Sequence, residues 1–578
     1  MIFTAALGLR MFFVQLVSRG SGIPVESELV SPGCNIASHL PATAARQPDK
    51  AAMFLPRGTG ADGRLRWEEL SFRELDELSN RYASGLESVG VERGTRTVLM
   101  VKPSAEFFGL VFALFKLGAV VVMIDPGMGS AALKKCLRET EPEAFIGIPV
   151  AHVARLLFRS SLGSLKTIVT VGTRWFWGGH KLSTLEANSD PAWKMKETKP
   201  EEVAAILFTS GSTGIPKGAV YTHGMFDAQV RMLREMYRFS SDEVDLPTFP
   251  LFALFDPALG MTAVIPDMDA RKPGSADPAK LVDAITAHGC TNMFGSPALL
   301  RNLGRYGRTE NVQLPTLRRV LSAGAPARTD VLEEVAAMLT DEAQIFTPYG
   351  ATEALPVAHI GSAEILGETA EMTEQGAGIC VGRPVDGAQV RIIDIRDDVI
   401  EGWSEELLVG PGEVGEITVV GPMVTEMYWA RPERTSLAKI MDGVSVVHRM
   451  GDLGYFDEAG RLWMCGRKDH RVTTELGDLF TVPIERMFDT QEGVRQSALV
   501  GIGLSGYEDP VLLVEVDEAG AKRGEELVEE LLVFAQRDEK TRRVERIVLY
   551  PGRFPVDVRH NAKIVRESLK TWADERLS

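Results

Sequence analysis

The sequence is poor in cysteine and has no surplus of basic charge. Its five cysteines are scattered over 578 residues without a CxxC pair or zinc-ligand spacing, which excludes a disulfide-built scaffold or a zinc finger and suits a reducing cytoplasm. The 63 basic side chains are outnumbered by 79 acidic ones, so the formal net charge is −16. Nucleic-acid binding needs clustered Lys and Arg, and we therefore expect no nucleic-acid partner.

Long uninterrupted hydrophobic runs are also missing. The apolar segment 2–17 is short for a membrane span, contains Arg10 and lacks the flanks of a secretory signal. Residues 1–33 are interpreted as an extension, either disordered or amphipathic, which leaves peripheral membrane contact open. The longer segment 107–124 is interrupted by Lys116, and Gly118 is typical of a helix end. It predicts a helix followed by a buried strand, so no transmembrane span is expected.

Short apolar strands alternate with amphipathic helices from residue 35 onward. Residues 71–89 begin with Ser71 and have Glu74 three positions later, a capping-box pattern that predicts a helix. The pattern predicts an α/β protein whose large N-terminal domain, residues 34–468, has helix-covered parallel or mixed sheets. Strands are predicted at 97–101, 204–208, 319–322 and 345–346.

The pattern changes after about residue 378. Period-2 runs at 388–394 and 415–420 predict a small barrel-like subdomain within the large domain. From Asp469, predicted strands at 497–502 and 511–516 and a helix at 524–537 indicate a small, mobile α+β C-terminal domain over residues 469–578.

Segment 205–223, AILFTSGSTGIPKGAVYTH, carries the strongest chemical signal. An apolar strand runs into a stretch of glycines and small hydroxyl side chains, and Lys217 follows. Such a loop lets backbone N–H groups approach a polyphosphate, and the lysine adds positive charge. Pro216 before the lysine, with no Ser or Thr directly after it, excludes a Walker A loop. The alternative, a flexible surface turn, is disfavoured by the order of residues directly after a buried strand.

This loop resembles the phosphate-binding signature of the adenylate-forming superfamily, which includes acyl-CoA synthetases, firefly luciferase and the adenylation domains of nonribosomal peptide synthetases. The resemblance extends from about residue 35 to the C-terminus, because further segments follow in the family's order. They are LFKLGAVVVMIDP (114–126), LSAGAP (321–326), TPYGATE (347–353), MGDLGYF (450–456), GRKD (466–469) and HNAKI (560–564).

The resemblance implies an ATP- and Mg²⁺-dependent ligase in which a carboxylate attacks the α-phosphorus of ATP and pyrophosphate leaves. Thr352 would donate to the α-phosphate, and Glu353 would hold Mg²⁺, a cation that prefers oxygen ligands. Lys563 would reach the forming acyl–phosphate bond, although Asn561 and Ala562 replace the usual Ser-Gly before it. Contacts to the β- and γ-phosphates are implied for Thr209, Ser210, Gly211, Ser212, Thr213, Gly214 and Lys217.

The same resemblance implies how the nucleoside is held. Tyr349 would stack on adenine, with Gly324 and Ala325 leaving room for the ring. Asp452 would accept hydrogen bonds from the ribose hydroxyls, and Arg467 would anchor the ribose or the α-phosphate.

Two departures from the family pattern narrow the reaction. Many acyl-CoA synthetases have an aromatic–His pair where this chain has Phe252-Ala253, and the lost polar group suits an aliphatic substrate. The segment HRVTTELG at 470–477 replaces a basic, Gly-rich loop, which puts a coenzyme A step in doubt. The expected pocket walls, with plain core packing as the alternative, are Met225, Phe249, Phe252 and Phe255.

The residues within these motifs resemble one branch of the family in particular, the β-lactone synthetases of bacterial long-chain olefin biosynthesis. That implies a long-chain 2-alkyl-3-hydroxy acid whose own hydroxyl displaces AMP, a closure helped by holding both groups in one pocket. His223 is the candidate base for the hydroxyl, with a buried structural histidine as the alternative. The branch also implies association with other enzymes of that pathway.

Two other functions remain open. The chain is alternatively a long-chain fatty acyl-CoA synthetase or an acyl-AMP ligase. A nucleotide-binding protein without catalysis is disfavoured by the presence of Lys217, Glu353 and Lys563.

Overall fold

The computed structural model describes residues 34–209, 216–556 and 564–577. The first fourteen strands are β1 (Ala51–Thr59), β2 (Leu65–Ser71), β3 (Arg96–Met100), β4 (Val120–Met123), β5 (Ala144–Gly147), β6 (Thr167–Thr170), β7 (His180–Lys181), β8 (Val203–Thr209), β9 (Lys217–Thr222), β10 (Val244–Pro247), β11 (Thr262–Val264), β12 (Asn292–Phe294), β13 (Arg319–Leu321) and β14 (Gln344–Phe346). The later strands are β15 (Tyr349–Ala351), β16 (Ala354–His359), β17 (Ile379–Pro384), β18 (Gln389–Ile393), β19 (Gly415–Val420), β20 (Lys439–Asp442), β21 (Ser445–Phe456), β22 (Leu462–Arg467), β23 (Val472–Thr474), β24 (Gly477–Leu479), β25 (Val494–Ile502), β26 (Asp509–Val516) and β27 (Arg546–Leu549).

The helices cover these sheets. They are α1 (His39–Arg46), α2 (Phe72–Glu87), α3 (Ala105–Leu117), α4 (Ser130–Thr140), α5 (Pro149–Leu157), α6 (Leu182–Ala187), α7 (His223–Tyr237), α8 (Asp256–Leu259), α9 (Pro278–His288), α10 (Pro297–Glu310), α11 (Thr329–Ala336), α12 (Ser362–Glu364), α13 (Ala370–Glu374), α14 (Pro432–Ala438), α15 (Thr481–Phe488), α16 (Glu518–Arg523), α17 (Glu525–Ala535) and α18 (Arg566–Leu577).

Two seven-stranded, mostly parallel sheets form the larger part of the molecule. Their strand orders are β14-β13-β12-β10-β11-β1-β2 and β7-β6-β5-β3-β4-β8-β9. Only the edge strands β2 and β9 run antiparallel to their neighbours. Residues of both sheets and of α2 and α3 share one large apolar core. The predicted α/β fold with helix-covered sheets is confirmed.

Helices α2 and α3 follow the local signals of the sequence. The capping box is complete, since Ser71 Oγ accepts from the Glu74 amide and the Glu74 carboxylate accepts from the Ser71 amide. Helix α3 ends at Gly118, whose φ of 71° is left-handed, and β4 follows. Segment 107–124 is therefore a helix and a strand, as predicted. None of the helices in the described part of the chain is long and apolar enough to cross a membrane.

A buried lysine ties α3 to α2. Lys116 is 1% exposed, and its Nζ donates to Asp76 Oδ1 at 2.6 Å, Ser79 Oγ at 2.8 Å and Asn80 Oδ1 at 2.7 Å. A buried charge is tolerated when its donors are satisfied in this way.

A third sheet is antiparallel and follows the order β15-β16-β17-β22-β21-β19-β18, with β20 paired to β21. The period-2 runs at 388–394 and 415–420 are confirmed as β18 and β19.

The C-terminal part has a core of its own around a three-stranded sheet, β25-β26-β27. The predicted strands and helix correspond to β25, β26 and α17. The predicted boundary at residue 469 falls in a short 3-10 turn, Lys468–His470, directly after β22. The division into residues 34–468 and 469–578 stays a prediction.

Candidate active site

One cavity of about 2220 Å³ lies along the carboxyl ends of the parallel strands. Three residues that directly follow parallel strands line it: Thr248 after β10, Ser322 after β13 and Thr347 after β14. Asp125, two residues after β4, lines it as well. The antiparallel sheet supplies another wall. Parallel sheets bind ligands at this edge because the loops that follow their strands converge there.

Eight of the residues that the sequence predicted for the nucleotide line this cavity together. Thr352 and Glu353 lie in the turn between β15 and β16, and Tyr349 lies on β15. The complete set is Lys217, Gly324, Ala325, Tyr349, Thr352, Glu353, Asp452 and Arg467.

Tyr349, Asp452 and Arg467 form a hydrogen-bonded group. Asp452 on β21 lies directly opposite Arg467 on β22 in the antiparallel ladder, which brings Arg467 Nη1 to 3.0 Å from Asp452 Oδ1. The Tyr349 hydroxyl donates to Asp452 Oδ2 at 2.7 Å. Burial and the neighbouring Asp452 carboxylate hold the pKa of Tyr349 well above its ordinary value. The phenol therefore stays protonated and remains a donor.

Glu353 has a partner that sequence reasoning missed. The Tyr428 hydroxyl donates to Glu353 Oε1 at 2.6 Å, and Lys217 Nζ lies 5.2 Å from the centre of the Tyr428 ring. Burial lowers the pKa of Lys217, and the Glu353 carboxylate opposes that shift. Tyr428 lies about 75 residues from Glu353 in a loop without a motif, so no local signal could have paired the two.

Side chains of β9 and α7 hold the main chain around Thr352 by hydrogen bonds. The Tyr221 hydroxyl on β9 donates to Thr352 O at 2.5 Å, and Gln229 on α7 donates through Nε2 to Leu355 O at 2.8 Å. The turn that carries Thr352 and Glu353 is therefore held by side chains from two elements.

The other end of the cavity is apolar. Three predicted wall residues, Phe249, Phe252 and Phe255, line it. The Phe252 ring meets the Phe294 ring edge-on, with centroids 4.5 Å apart. Met225 is buried in the core and does not line the cavity.

His223 also lies outside the cavity lining. It is the first residue of α7, and its ring is fully buried against the chain that precedes α1. Its Nδ1 accepts from the Ile36 amide at 3.3 Å, and burial lowers its pKa to about 4. The structure thus favours the structural alternative for His223 over the role of a base, because the side chain is fully buried and does not line the cavity.

Some residues of the lining also carry buried polar atoms without a hydrogen-bond partner among the described residues. Four buried ones find no hydrogen-bond partner in the described structure, and their residues line the cavity: Gln229 Oε1, Tyr237 OH, Asp256 Oδ2 and Ser322 Oγ.

Two of the lining residues are buried aspartates that sequence reasoning missed. Burial raises the pKa of Asp245 to about 7, and burial with the charge of Asp245 raises that of Asp256 further. The available signal was an aspartate inside the apolar segment FPLFALFD.

The model of the family described as AMP-binding enzyme matches residues 40–429. The chain belongs to this family. It is 50% identical over 552 residues to an olefin β-lactone synthetase of Stenotrophomonas maltophilia, covering 94% of this chain and 99% of that protein. It is also 50% identical over 551 residues to an olefin β-lactone synthetase of Xanthomonas campestris, covering 94% of this chain and 98% of that protein.

Solved structures agree on the fold of this AMP-binding enzyme. The amide bond synthetase McbA from Marinactinospora thermotolerans matches with a TM-score of 0.74 at 22% identity, covering 93% of this chain and 99% of that one. ATP-bound MatB from Rhodopseudomonas palustris matches with a TM-score of 0.75 at 20% identity, covering 94% and 100%.

AMP-binding enzymes act on ATP, generally with Mg²⁺, and the donor set at Glu353 fits that ion. Mg²⁺ keeps several waters and takes one or two carboxylates together with substrate phosphates. No cluster of three or more His, Cys, Asp or Glu suited to a metal occurs in the described ranges, so a site built only from protein ligands is not present there. A single carboxylate beside Lys217 suits an ion that arrives with a polyphosphate.

The predicted residues Ser210, Gly211, Ser212, Thr213, Gly214 and Lys563 lie outside the described residues. Thr209 is the last residue of β8, and its backbone pairs with that of Lys217 on β9. Strand β8 therefore ends, and strand β9 begins, beside the cavity.

Proposed function

We propose that this AMP-binding enzyme converts a long-chain 2-alkyl-3-hydroxy acid into a β-lactone, with ATP giving AMP and pyrophosphate. The observation that carries the proposal is a single cavity that joins the nucleotide residues to apolar walls. The 50% identity to two olefin β-lactone synthetases supports the same reaction.

In the first step the substrate carboxylate attacks the α-phosphorus and pyrophosphate leaves. Two anions meet, so the site must stabilise the negative charge that develops. Lys217 and Thr352 are assigned to the phosphates, and Asp452 accepts from the ribose hydroxyls while Arg467 and Tyr349 hold its carboxylate in place. Glu353 would hold Mg²⁺, which supplies charge neutralisation at the phosphates when bound.

In the second step the β-hydroxyl oxygen forms a bond to the acyl carbon. The acyl–phosphate bond breaks with its electron pair going to the phosphate oxygen, and AMP leaves while the hydroxyl proton passes to that phosphate or to water. The apolar walls hold both alkyl chains and keep the hydroxyl and the acyl carbon in one space, which raises their effective concentration. Asp256 is proposed as a polar partner of the substrate's hydroxyl group, because its Oδ2 is buried, unpartnered and in the lining.

Product analysis tests this reaction. The protein is incubated with Mg²⁺, ATP and a racemic long-chain 2-alkyl-3-hydroxy acid, with and without coenzyme A, and the products are identified by NMR. A lactone formed without thiol supports the proposal. A thioester that requires coenzyme A would instead identify an acyl-CoA synthetase, and an accumulating acyl-adenylate an acyl-AMP ligase. ATP binding without turnover of any fatty or hydroxy acid would contradict all three.

Lys563 is proposed as the lysine that reaches the reacting carboxylate. Lys563→Ala should abolish adenylate formation, measured as pyrophosphate exchange, and largely spare ATP affinity. Unchanged exchange in that variant would show that another lysine acts. Lys570→Ala is the matched control, because Lys570 pairs with Glu508 in the C-terminal part at 2.5 Å.

We also propose a cytoplasmic location and association with other enzymes of the same pathway. The acidic net charge and the cysteine usage of the chain support the location. Co-purification of the tagged protein from its own cells tests the association.

A further inference from the structure

One segment of this acidic protein carries no acidic side chain. Residues 144–185 contain five Lys or Arg and no Asp or Glu. Acidic residues make up 79 of 578 positions, about one in seven. The absence of any acidic side chain over residues 144–185 therefore distinguishes this segment from the rest of the chain. It covers β5, α5, β6 and β7.

Four cations of this segment lack an acidic partner. Arg155, Arg159, Arg174 and Lys181 form no ion pair with any residue that the structure describes, and the buried Arg155 has an unpartnered Nη2. Lys166 alone pairs with an acid, Glu143 at 3.0 Å. Arg159, Arg174 and Lys181 are exposed, so their positive charge is available to an external anion.

The same segment exposes large apolar side chains. On α5, Val150 is 66% and Leu157 78% exposed, and in the loop after β6 Trp175 is 54% and Phe176 81% exposed. The loop packs on the helix through Trp177, whose ring stacks on His152 with centroids 5.1 Å apart. Exposed apolar groups placed together mark an interaction site.

The topology joins this face to the cavity. Strands β6, β5 and β3 are parallel neighbours, so the loop with Trp175, the start of helix α5 and the turn at Lys102 lie side by side at one sheet edge. Val150, Ala151, Ala154 and Lys102 also line the cavity. Helix α5 thus has one side toward the cavity and another toward solvent.

We propose that this face, defined by Val150, Val153, Leu157, Trp175 and Phe176 with the surrounding Arg159, Arg174 and Lys181, binds the surface of an anionic lipid bilayer. Tryptophan and phenylalanine insert at the boundary of headgroups and acyl chains, and Lys and Arg attract anionic headgroups. Docking there places the cavity beside the bilayer, so a long-chain acid enters the enzyme from lipid rather than from water. The entry route rests on the proposed function, but the binding itself does not.

Vesicle co-sedimentation of the full chain tests the proposal without turnover. We expect binding to vesicles in which a third of the lipid is phosphatidylglycerol, weaker binding to phosphatidylcholine alone, and release by salt. The variant L157S/W175S/F176S should lower the partition coefficient about tenfold or more. The variant R159Q/R174Q/K181Q should remove the difference between the two lipid compositions.

The matched control is V444S/L504S/V533S, which removes exposed apolar side chains from other surfaces and should bind as the unchanged protein does. Every variant retains residues 1–33, so any lipid contact made there is common to all. Thermal melting of each variant, and its turnover of a short, water-soluble hydroxy acid, show that the fold and the site are intact.

Absence of vesicle binding by the unchanged protein overturns the proposal, as does equal binding by L157S/W175S/F176S. If instead the unchanged protein self-associates without binding vesicles, and that variant is monomeric, the face is a protein interface and the lipid proposal is wrong. A failed product assay together with vesicle binding that depends on this face would reject the proposed reaction and leave the lipid proposal standing.

Discussion

The two ends of the cavity differ in whether their polar side chains have partners. At the nucleotide end Asp452 has two partners, Tyr349 and Arg467, and Glu353 has Tyr428. At the apolar end the buried Asp256 Oδ2 and Tyr237 hydroxyl find no partner in the described structure. Paired groups are fixed before ligand arrives, so the nucleotide end is preorganised. Unpaired buried groups carry a desolvation penalty that a hydrogen-bonding partner relieves, so the apolar end keeps polar groups that the proposed hydroxy acid would pair.

Removal of the Glu353 charge is expected to have the largest effect. Glu353→Gln should lower pyrophosphate exchange by about 10²-fold or more, because the site loses its one carboxylate for Mg²⁺ and charge stabilisation of this kind contributes that much. The exposed Glu458→Gln is the control. Exchange within a factor of two of the unchanged enzyme would remove Glu353 from the metal site.

Loss of one hydrogen bond at the nucleotide end should have a smaller effect. Tyr349→Phe removes the donor to Asp452 and should raise the KM for ATP about tenfold, the effect of one bond to a charged group. Tyr237→Phe removes a hydroxyl that has no partner and should leave that KM unchanged. An equal change in both variants would contradict the difference between the two ends.

Asp256 tests the selectivity of the apolar end. Asp256→Leu should lower the ratio of kcat/KM for a 3-hydroxy acid to that for its 3-deoxy analogue by about tenfold, since one hydrogen bond to the substrate is lost. Asp256→Asn, which can still donate and accept, should retain most of the ratio. If Asp256→Leu lowers kcat/KM for both acids alike, the residue supports the fold only.

The buried aspartates should also be visible in the pH dependence of stability. Burial raises the pKa of Asp245 to about 7, so between about pH 4 and 7 the folded state binds more protons than the unfolded state, and this group lowers stability as pH rises. Asp245→Asn does not ionise. Its free energy of unfolding relative to the unchanged protein should therefore rise by about 2 kcal/mol from about pH 5 to pH 7.5. Urea unfolding at both pH values measures this, and a constant difference would show that Asp245 is not titrating.

The sequence was most informative where the physics is local. The capping box at Ser71, the helix end at Gly118 and the strand before the phosphate loop depend on neighbours in the chain, and each was predicted correctly. The motifs also predicted which residues line the nucleotide end of the cavity.

Side-chain direction and distant partners were beyond the sequence. His223 begins α7, and whether its ring faces the cavity depends on the packing of Ile36, which lies 187 positions away. Tyr428 meets Glu353, and Asp256 lies within the electrostatic reach of Asp245, only because the chain folds back on itself. No periodicity or spacing encodes such contacts.

The buried Lys116 determines more than the join between two helices. Helix α3 is apolar on nearly every side. A helix with apolar side chains on all faces could rotate about its own axis at little cost in free energy. Its ammonium group is held by Asp76, Ser79 and Asn80, so any rotation would strand a charge among hydrocarbons. The contacts of Lys116 therefore fix the rotation of α3 about its own axis. The same rotation determines which side chains of α3 line the cavity, namely Phe107, Val111, Phe112 and Phe115. A lysine remote from any reacting atom is thereby responsible for the shape of the space in which an acyl chain would lie.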